Sequence, residues 1–168
     1  MPVDNAQDLH DLGAKLLAWV EPRIRRDHYA EASIRCVSAE ALEALDCELS
    51  YDPSVWLNFI QSTSVPQKRH WFSDMPLVLA CNRNIQVQLL VWKTATTDIH
   101  AHAFCGAFRV MQGSSVHTRY RFEPDHWLSD GLGLGKLACL GSEYLARGAV
   151  REIASGRQGL IHSLFHLD

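Results

Sequence analysis

The sequence predicts a mainly β protein in which an N-terminal helical segment, residues 1–65, precedes an antiparallel β-sandwich or barrel, residues 75–168. Two observations support this fold class. Apolar residues recur at helical spacing in the first segment, and short strands separated by turn residues follow it. The 168 residues suffice for one hydrophobic core and are too few for two ordinary domains. A single domain is therefore expected.

Three helices are expected in the N-terminal segment. Leu9, Leu12 and Leu16 recur at three- and four-residue steps, which is the spacing of one helix face, and Pro22 predicts a break after them. Ser38 has the chemistry of an N-cap. The expected helices cover residues 5–30 with the break, residues 38–49, and a stretch that begins at Asp52-Pro53-Ser54.

After Pro66 the pattern changes to that of short strands. Residues 85–92 begin with alternation and are rich in Val and Leu, and residues 116–122 alternate, with His117 on the opposite face from Val116. Residues 93–98 read as a polar connection, and the glycines within residues 130–135 predict a loop. Residues 77–81 are a short apolar run that gives way to a turn signal, and further strands are expected at residues 107–111, 137–140, 149–153 and 160–167.

Composition excludes several classes of protein. The net charge is −3, so we expect neither a nucleic acid nor a membrane surface as a partner. The five cysteines are odd in number and form no C-x-x-C pair, which indicates free thiols and a cytoplasmic location. A homo-oligomer is compatible with the sequence.

Histidine placement is the main functional signal. His100 and His102 are two residues apart, so in a strand both imidazoles point to one face and can converge on one metal ion. The alternative for this pair alone is two surface or core histidines on an edge strand. His162, about sixty residues later, supplies a third imidazole from a distant strand. Three histidines would leave the opposite face of the ion open for substrate and for oxygen or water.

The ordered motifs resemble those of the cupin superfamily. The resemblance is carried by residues 85–92, then His100-Ala101-His102, then residues 110–113 ending in Gly113, then Thr118-Arg119-Tyr120. The layout is most similar to the cysteine dioxygenase-like (thiol dioxygenase) branch, which also has a helical N-terminal part.

This resemblance implies a cupin double-stranded β-helix (jelly-roll barrel) and a mononuclear non-haem metal enzyme. His100, His102 and His162 match the family's metal ligands, and in this branch the metal is Fe(II), which binds a thiolate and O₂ to oxidise sulfur. The substrate is then a small thiol, most simply a thiol carboxylic acid. Arg83 lies near the position of the arginine that binds the substrate carboxylate in this family.

Other residues near these motifs have alternative interpretations. Gly106 and Ala107 occupy the positions where most cupins carry a glutamate ligand, which agrees with the three-histidine branch. Cys105 matches a cysteine of that branch loosely, or is a core thiol. His166 would act as a proton relay or substrate contact, or pack as a core histidine. His117 would donate a hydrogen bond to a ligand or face the surface.

Two other functions fit the same residues. One is a cupin isomerase or hydrolase that uses Zn, Mn or Ni, since neutral imidazoles suit all of these ions. The other is a non-catalytic cupin that binds a small ligand. Residues 162–168 read as the middle of a strand, which indicates a barrel truncated at its C-terminal end and a longer natural chain.

Overall fold

The computed structural model describes residues 2–67, 73–93, 96–130, 132–156 and 159–167. The chain forms two compact units, which we call unit 1 (residues 1–94) and unit 2 (residues 95–168). Strands outnumber helices, and the helices lie in unit 1, so the predicted mainly β chain with an N-terminal helical segment is confirmed at this level. In the described residues, no helix is both long and apolar enough to cross a membrane.

The described residues of unit 1 form three helices and two strand pairs. The helices are α1 (Ala6–Arg26), α2 (Glu31–Glu43) and α3 (Pro53–Ser62). The strands are β1 (Pro2–Val3), β2 (Glu48–Leu49), β3 (Met75–Cys81) and β4 (Gln86–Val91). β1 pairs with β2 in parallel, and β3 pairs with β4 in antiparallel orientation. Part of the segment predicted as barrel therefore pairs within unit 1.

The predicted break of the first helix at Pro22 is wrong. α1 runs without interruption to Arg26, with Pro22 inside it. A proline removes one backbone hydrogen bond, yet Val20 and Ile24 on either side are buried in a core shared with α2. Burial of this apolar face keeps the helix continuous across the proline.

The predicted start of the second helix is also wrong, whereas the predicted start of the third helix is confirmed. α2 begins at Glu31, and Ser38 lies in its middle, because Ile34 and Val37 extend the face that packs against the buried core. Asp52 caps α3 as predicted: its carboxylate accepts a hydrogen bond from the Ser54 N–H.

Close packing of α1 on β3 forms the centre of unit 1. A Cβ built on Gly13 would lie 2.7 Å from backbone atoms of Leu79, so only glycine permits this approach. Leu9, Phe59 and Leu77 are fully buried. Apolar burial of this kind is the dominant stabilising term in a small unit.

Unit 2 contains six strands and, among its described residues, no helix. They are β5 (Thr96–Ala101), β6 (Gly106–Arg109), β7 (Ser114–Ser129), β8 (Leu132–Leu145), β9 (Val150–Ile153) and β10 (Ile161–Leu167). One antiparallel sheet has the order β5-β10-β7-β8, and β6 pairs with β9 in a second. The jelly-roll closure of these sheets stays a prediction.

The loop predicted over residues 130–135 is wrong at residues 132–135, which belong to β8 and pair with β7. β7 and β8 continue on both sides of Gly131, which itself is outside the described residues. The glycines of β8 are compatible with a strand because Trp127 stacks over Gly133, where a Cβ would meet its ring at 2.8 Å. The predicted end of the polar connection, Asp98, is also wrong, because Asp98 lies within β5.

Candidate metal centre

Strand pairing places His100 and His162 side by side. The two residues are direct partners in the antiparallel β5–β10 ladder. Side chains of directly opposed residues emerge on the same face of a sheet, about 5 Å apart at Cβ. His102 follows the end of β5, where its carbonyl accepts a hydrogen bond of 3.1 Å from the Gly156 N–H. The i, i+2 spacing then directs His102 to the same face as His100.

The three imidazoles converge on one point. His162 Nε2 lies 2.9 Å from His102 Nε2 and 3.1 Å from His100 Nε2. One ring nitrogen from each of the three lies within 4.8 Å of the others. His102 and His162 are buried, with 6% and 2% of their surface exposed, and His100 is half-buried. We call His100, His102 and His162 the histidine cluster.

The nitrogen spacing fits a metal ion. With metal–nitrogen bonds of about 2.1 Å, two ligands at about 90° place their nitrogens about 3.0 Å apart, whereas a tetrahedral angle gives about 3.4 Å. The observed 2.9 and 3.1 Å match the right-angled case. His162 therefore has the nitrogen spacing of a ligand that lies next to His100 and next to His102 around one ion.

Burial and the neighbouring histidines keep the imidazoles of His102 and His162 neutral. Burial, followed by repulsion from His100, lowers the pKa of His102 to about 4. Burial and the neighbouring histidines lower the pKa of His162 to about 3. A neutral imidazole has a lone pair on one ring nitrogen, which is the form that binds a metal. Protons therefore compete weakly for these nitrogens near neutral pH.

A further histidine and an ion pair lie beside the cluster. His117 on β7 is 1% exposed, and its Nε2 lies 2.8 Å from His162 Nδ1. Its Nδ1 lies 2.9 Å from Glu143 Oε1 on β8, the direct ladder partner. Of the two alternatives for His117, the surface-facing one is wrong. Sequence reasoning missed Glu143 and its partner Arg151, because neither residue belongs to a motif and only the strand register brings them to His117.

The other candidate residues lie in separate surroundings. His166 shares the β10 face of His162 and is half-buried, with its Nδ1 3.0 Å from Ser115 Oγ. Cys105 is half-buried. Arg83 lies on the exposed turn between β3 and β4 of unit 1, whereas the cluster belongs to unit 2. Functional roles for these three residues stay predictions.

Two phenylalanine rings pack on the cluster. The ring centroid of Phe108 lies 6.1 Å from that of His162 and 6.0 Å from that of His117. Phe104 lies 4.9 Å from His102 in an edge-on contact, although 58% of Phe104 is exposed. Phe108, itself half-buried, thus places an apolar ring beside both His162 and His117.

Fold and site together define a mainly β chain with a three-histidine cluster suited to a metal ion. Comparison with known proteins does not narrow this class of protein further. No family model matches the chain, and no curated protein matches its sequence. A solved structure of the hydroquinone 1,2-dioxygenase PnpCD, in complex with Cd²⁺ and 4-hydroxybenzonitrile, matches at 20% identity with a TM-score of 0.35. The match covers 54% of this chain and 63% of the dioxygenase chain. So weak a likeness defines neither the fold nor the reaction of this protein.

Proposed function

We propose that this protein is a mononuclear non-haem metal enzyme, and specifically an Fe(II)-dependent dioxygenase that oxidises a small thiol with O₂. The convergence of the three Nε2 atoms of the histidine cluster, in which His162 Nε2 lies 2.9 and 3.1 Å from the other two, carries the proposal. Three imidazole ligands leave coordination positions of an ion open for a substrate and a second ligand. The choice of iron and of a thiol rests on the cupin resemblance of the sequence.

Each residue of the site has a defined task in this proposal. His100, His102 and His162 hold the ion, and Phe108 places an apolar ring beside His162. When bound, Fe(II) supplies the redox chemistry that couples O₂ to the oxidation of a thiol sulfur. The residues of unit 2 proposed to act on the substrate are His166, for proton transfer, and Cys105, and a role of Arg83 in binding a carboxylate rests on the cupin resemblance alone.

Metal analysis is the first test. We expect protein purified without a histidine tag to bind about one equivalent of Fe(II), and His102→Ala to lose stoichiometric binding because one of three ligands is missing. His126→Ala is the matched control, since this exposed histidine lies on β7 outside the cluster. Retention of a full equivalent of metal by His102→Ala would refute the ligand assignment.

Oxygen uptake tests the reaction. Iron-loaded protein should consume O₂ with at least one of cysteine, 3-mercaptopropionate and cysteamine, and the zinc-loaded protein should not. If none of the three thiols supports uptake at full iron loading, the thiol dioxygenase proposal is wrong. Stoichiometric Zn, Mn or Ni without oxygen uptake would favour the isomerase or hydrolase, and no metal at all would favour a non-catalytic small-ligand-binding cupin.

A further inference from the structure

We propose that His117 and Glu143 are positioning residues that fix the protonated nitrogen of His162 and thereby set the metal affinity of the cluster. This inference rests on the proposed function, because it assigns to both residues a role towards the same metal ion. It is carried by a chain of hydrogen bonds that runs from a carboxylate through two buried imidazoles to the convergence point.

The first step begins at Glu143. An ionised carboxylate has only acceptor oxygens, so the proton in the 2.9 Å contact between Glu143 Oε1 and His117 Nδ1 belongs to the nitrogen. Arg151 keeps this carboxylate ionised and in place: its Nε lies 3.0 and 3.1 Å from the two carboxylate oxygens. Hydrogen bonding from Arg151 lowers the pKa of Glu143 to about 2.

The second step passes through His117. A neutral imidazole that carries its proton on Nδ1 has an unprotonated Nε2. The 2.8 Å contact between His117 Nε2 and His162 Nδ1 therefore requires that His162 donates from Nδ1. His162 Nε2 is then unprotonated, and it is the nitrogen that lies nearest to His100 and His102.

A parallel arrangement acts on His100. Its Nδ1 lies 2.7 Å from the backbone carbonyl oxygen of Asp98, which can only accept, so His100 donates from Nδ1. In its neutral form, Nε2 of His100 is unprotonated as well. Two lone pairs, on His100 and His162, then face each other across 3.1 Å, and a cation between them relieves their repulsion. Fixing the proton of His162 thus prepares the cluster for a metal ion.

The main test compares variants of His117 by their affinity for Zn²⁺, measured by competition with a chromophoric chelator. His117→Leu keeps the bulk and removes the acceptor, so we expect the dissociation constant to rise about 10- to 100-fold. His117→Gln retains an acceptor at the reach of Nε2, and we expect it to recover most of the lost affinity. Such rescue by a conservative variant would not follow from a role in packing alone.

A variant of Glu143, compared with a control variant, provides a second test in case His117→Leu does not fold. Glu143 is part-exposed, and Glu143→Ala should weaken Zn²⁺ binding in the same direction by a smaller factor. Glu123→Ala is the matched control, because Glu123 pairs with Arg121 on the exposed part of β7. We expect the control to keep the affinity of the unchanged protein.

Nitrogen-15 NMR of the imidazole rings tests the protonation pattern directly, and it needs no metal. In the metal-free protein we expect His162 to carry its proton on Nδ1, and His117→Leu to shift it towards the Nε2–H form. A proton on Nε2 of His162 in the unchanged protein would overturn the inference. Zn²⁺ affinity unaffected by His117→Leu and Glu143→Ala would overturn it too, while leaving the metal site intact. Failure of the unchanged protein to bind any divalent metal would instead remove the proposed function, and this inference with it.

Discussion

Among the described residues, unit 1 buries almost only apolar side chains, whereas unit 2 buries more polar side chains than apolar ones. The buried apolar residues of unit 1 are Val3, Leu9, Leu12, Val20, Ile24, Ala41, Cys47, Val55, Trp56, Phe59, Leu77, Val78, Leu79 and Ala80. The buried apolar residues of unit 2 are Leu145, Ile153 and Leu164, against the buried polar residues Thr97, His102, Ser114, Ser115, His117 and His162.

This difference in buried side chains indicates that different interactions stabilise the two units. Apolar burial contributes about 25 cal/mol per Å², whereas a buried polar group costs free energy unless it is hydrogen-bonded. Unit 2 compensates with the hydrogen-bond chain through His117 and His162 and with a long antiparallel ladder. Unit 2 therefore relies less on the burial of apolar side chains than unit 1 does.

The largest expected effect is in the apolar core of unit 1. Phe59→Ala should lower the free energy of unfolding by about 3–5 kcal/mol, because Phe59 is 0% exposed and its removal leaves a cavity. Urea denaturation measures this loss. Leu57→Ala on the same helix is the control and should cost less than about 1 kcal/mol, since 57% of Leu57 is exposed. Equal losses for both variants would contradict the assignment of the core.

Metal binding should raise the free energy of unfolding of unit 2, by somewhat less than Phe59→Ala lowers that of unit 1. At a free metal concentration of about 100 times the dissociation constant, the linkage between binding and folding contributes about 2.7 kcal/mol. We expect hydrogen exchange to show added protection in β5, β7 and β10, which carry or flank the histidine cluster. His162→Ala should abolish that added protection. Stoichiometric metal without any change in these strands would show that the site contributes nothing to the stability of unit 2.

The smallest expected effect is the pH dependence of the stability that Glu143 contributes. Arg151 lowers the pKa of Glu143 in the folded protein to about 2, below its ordinary value of 4.5. A group with a lowered folded pKa stabilises the protein above its unfolded pKa, and this contribution is lost as the pH falls towards the folded value. The stability difference between the unchanged protein and Glu143→Gln should therefore be greatest above about pH 5 and shrink towards pH 3.

Denaturation at a series of pH values measures this dependence. Glu123→Gln is the comparison, because the Glu123–Arg121 pair is exposed and ion pairs at the surface contribute little. A stability difference for Glu143→Gln that stays constant from pH 7 to pH 3 would show that Glu143 holds no charge-dependent contact with Arg151.

The sequence alone determined the features that depend on local spacing. The mainly β character with an N-terminal helical segment follows from hydrophobic periodicity, and the Asp52 cap follows from local hydrogen bonding. The two-residue spacing of His100 and His102 predicted that they share a face, because side chains alternate in a strand. Local rules failed at Pro22 and at residues 132–135, where burial and cross-strand packing outweighed the preferences of single residues.

Only the tertiary structure decided which distant residues meet. The register of β10 against β5 sets His162 opposite His100, and a slip of one residue would turn the imidazole to the other face. The register of β8 against β7 likewise places Glu143 opposite His117. Strand register is set by the summed packing of whole sheets, which no single motif encodes. The sequence therefore indicated the candidate ligands, and the fold selected the residues around them.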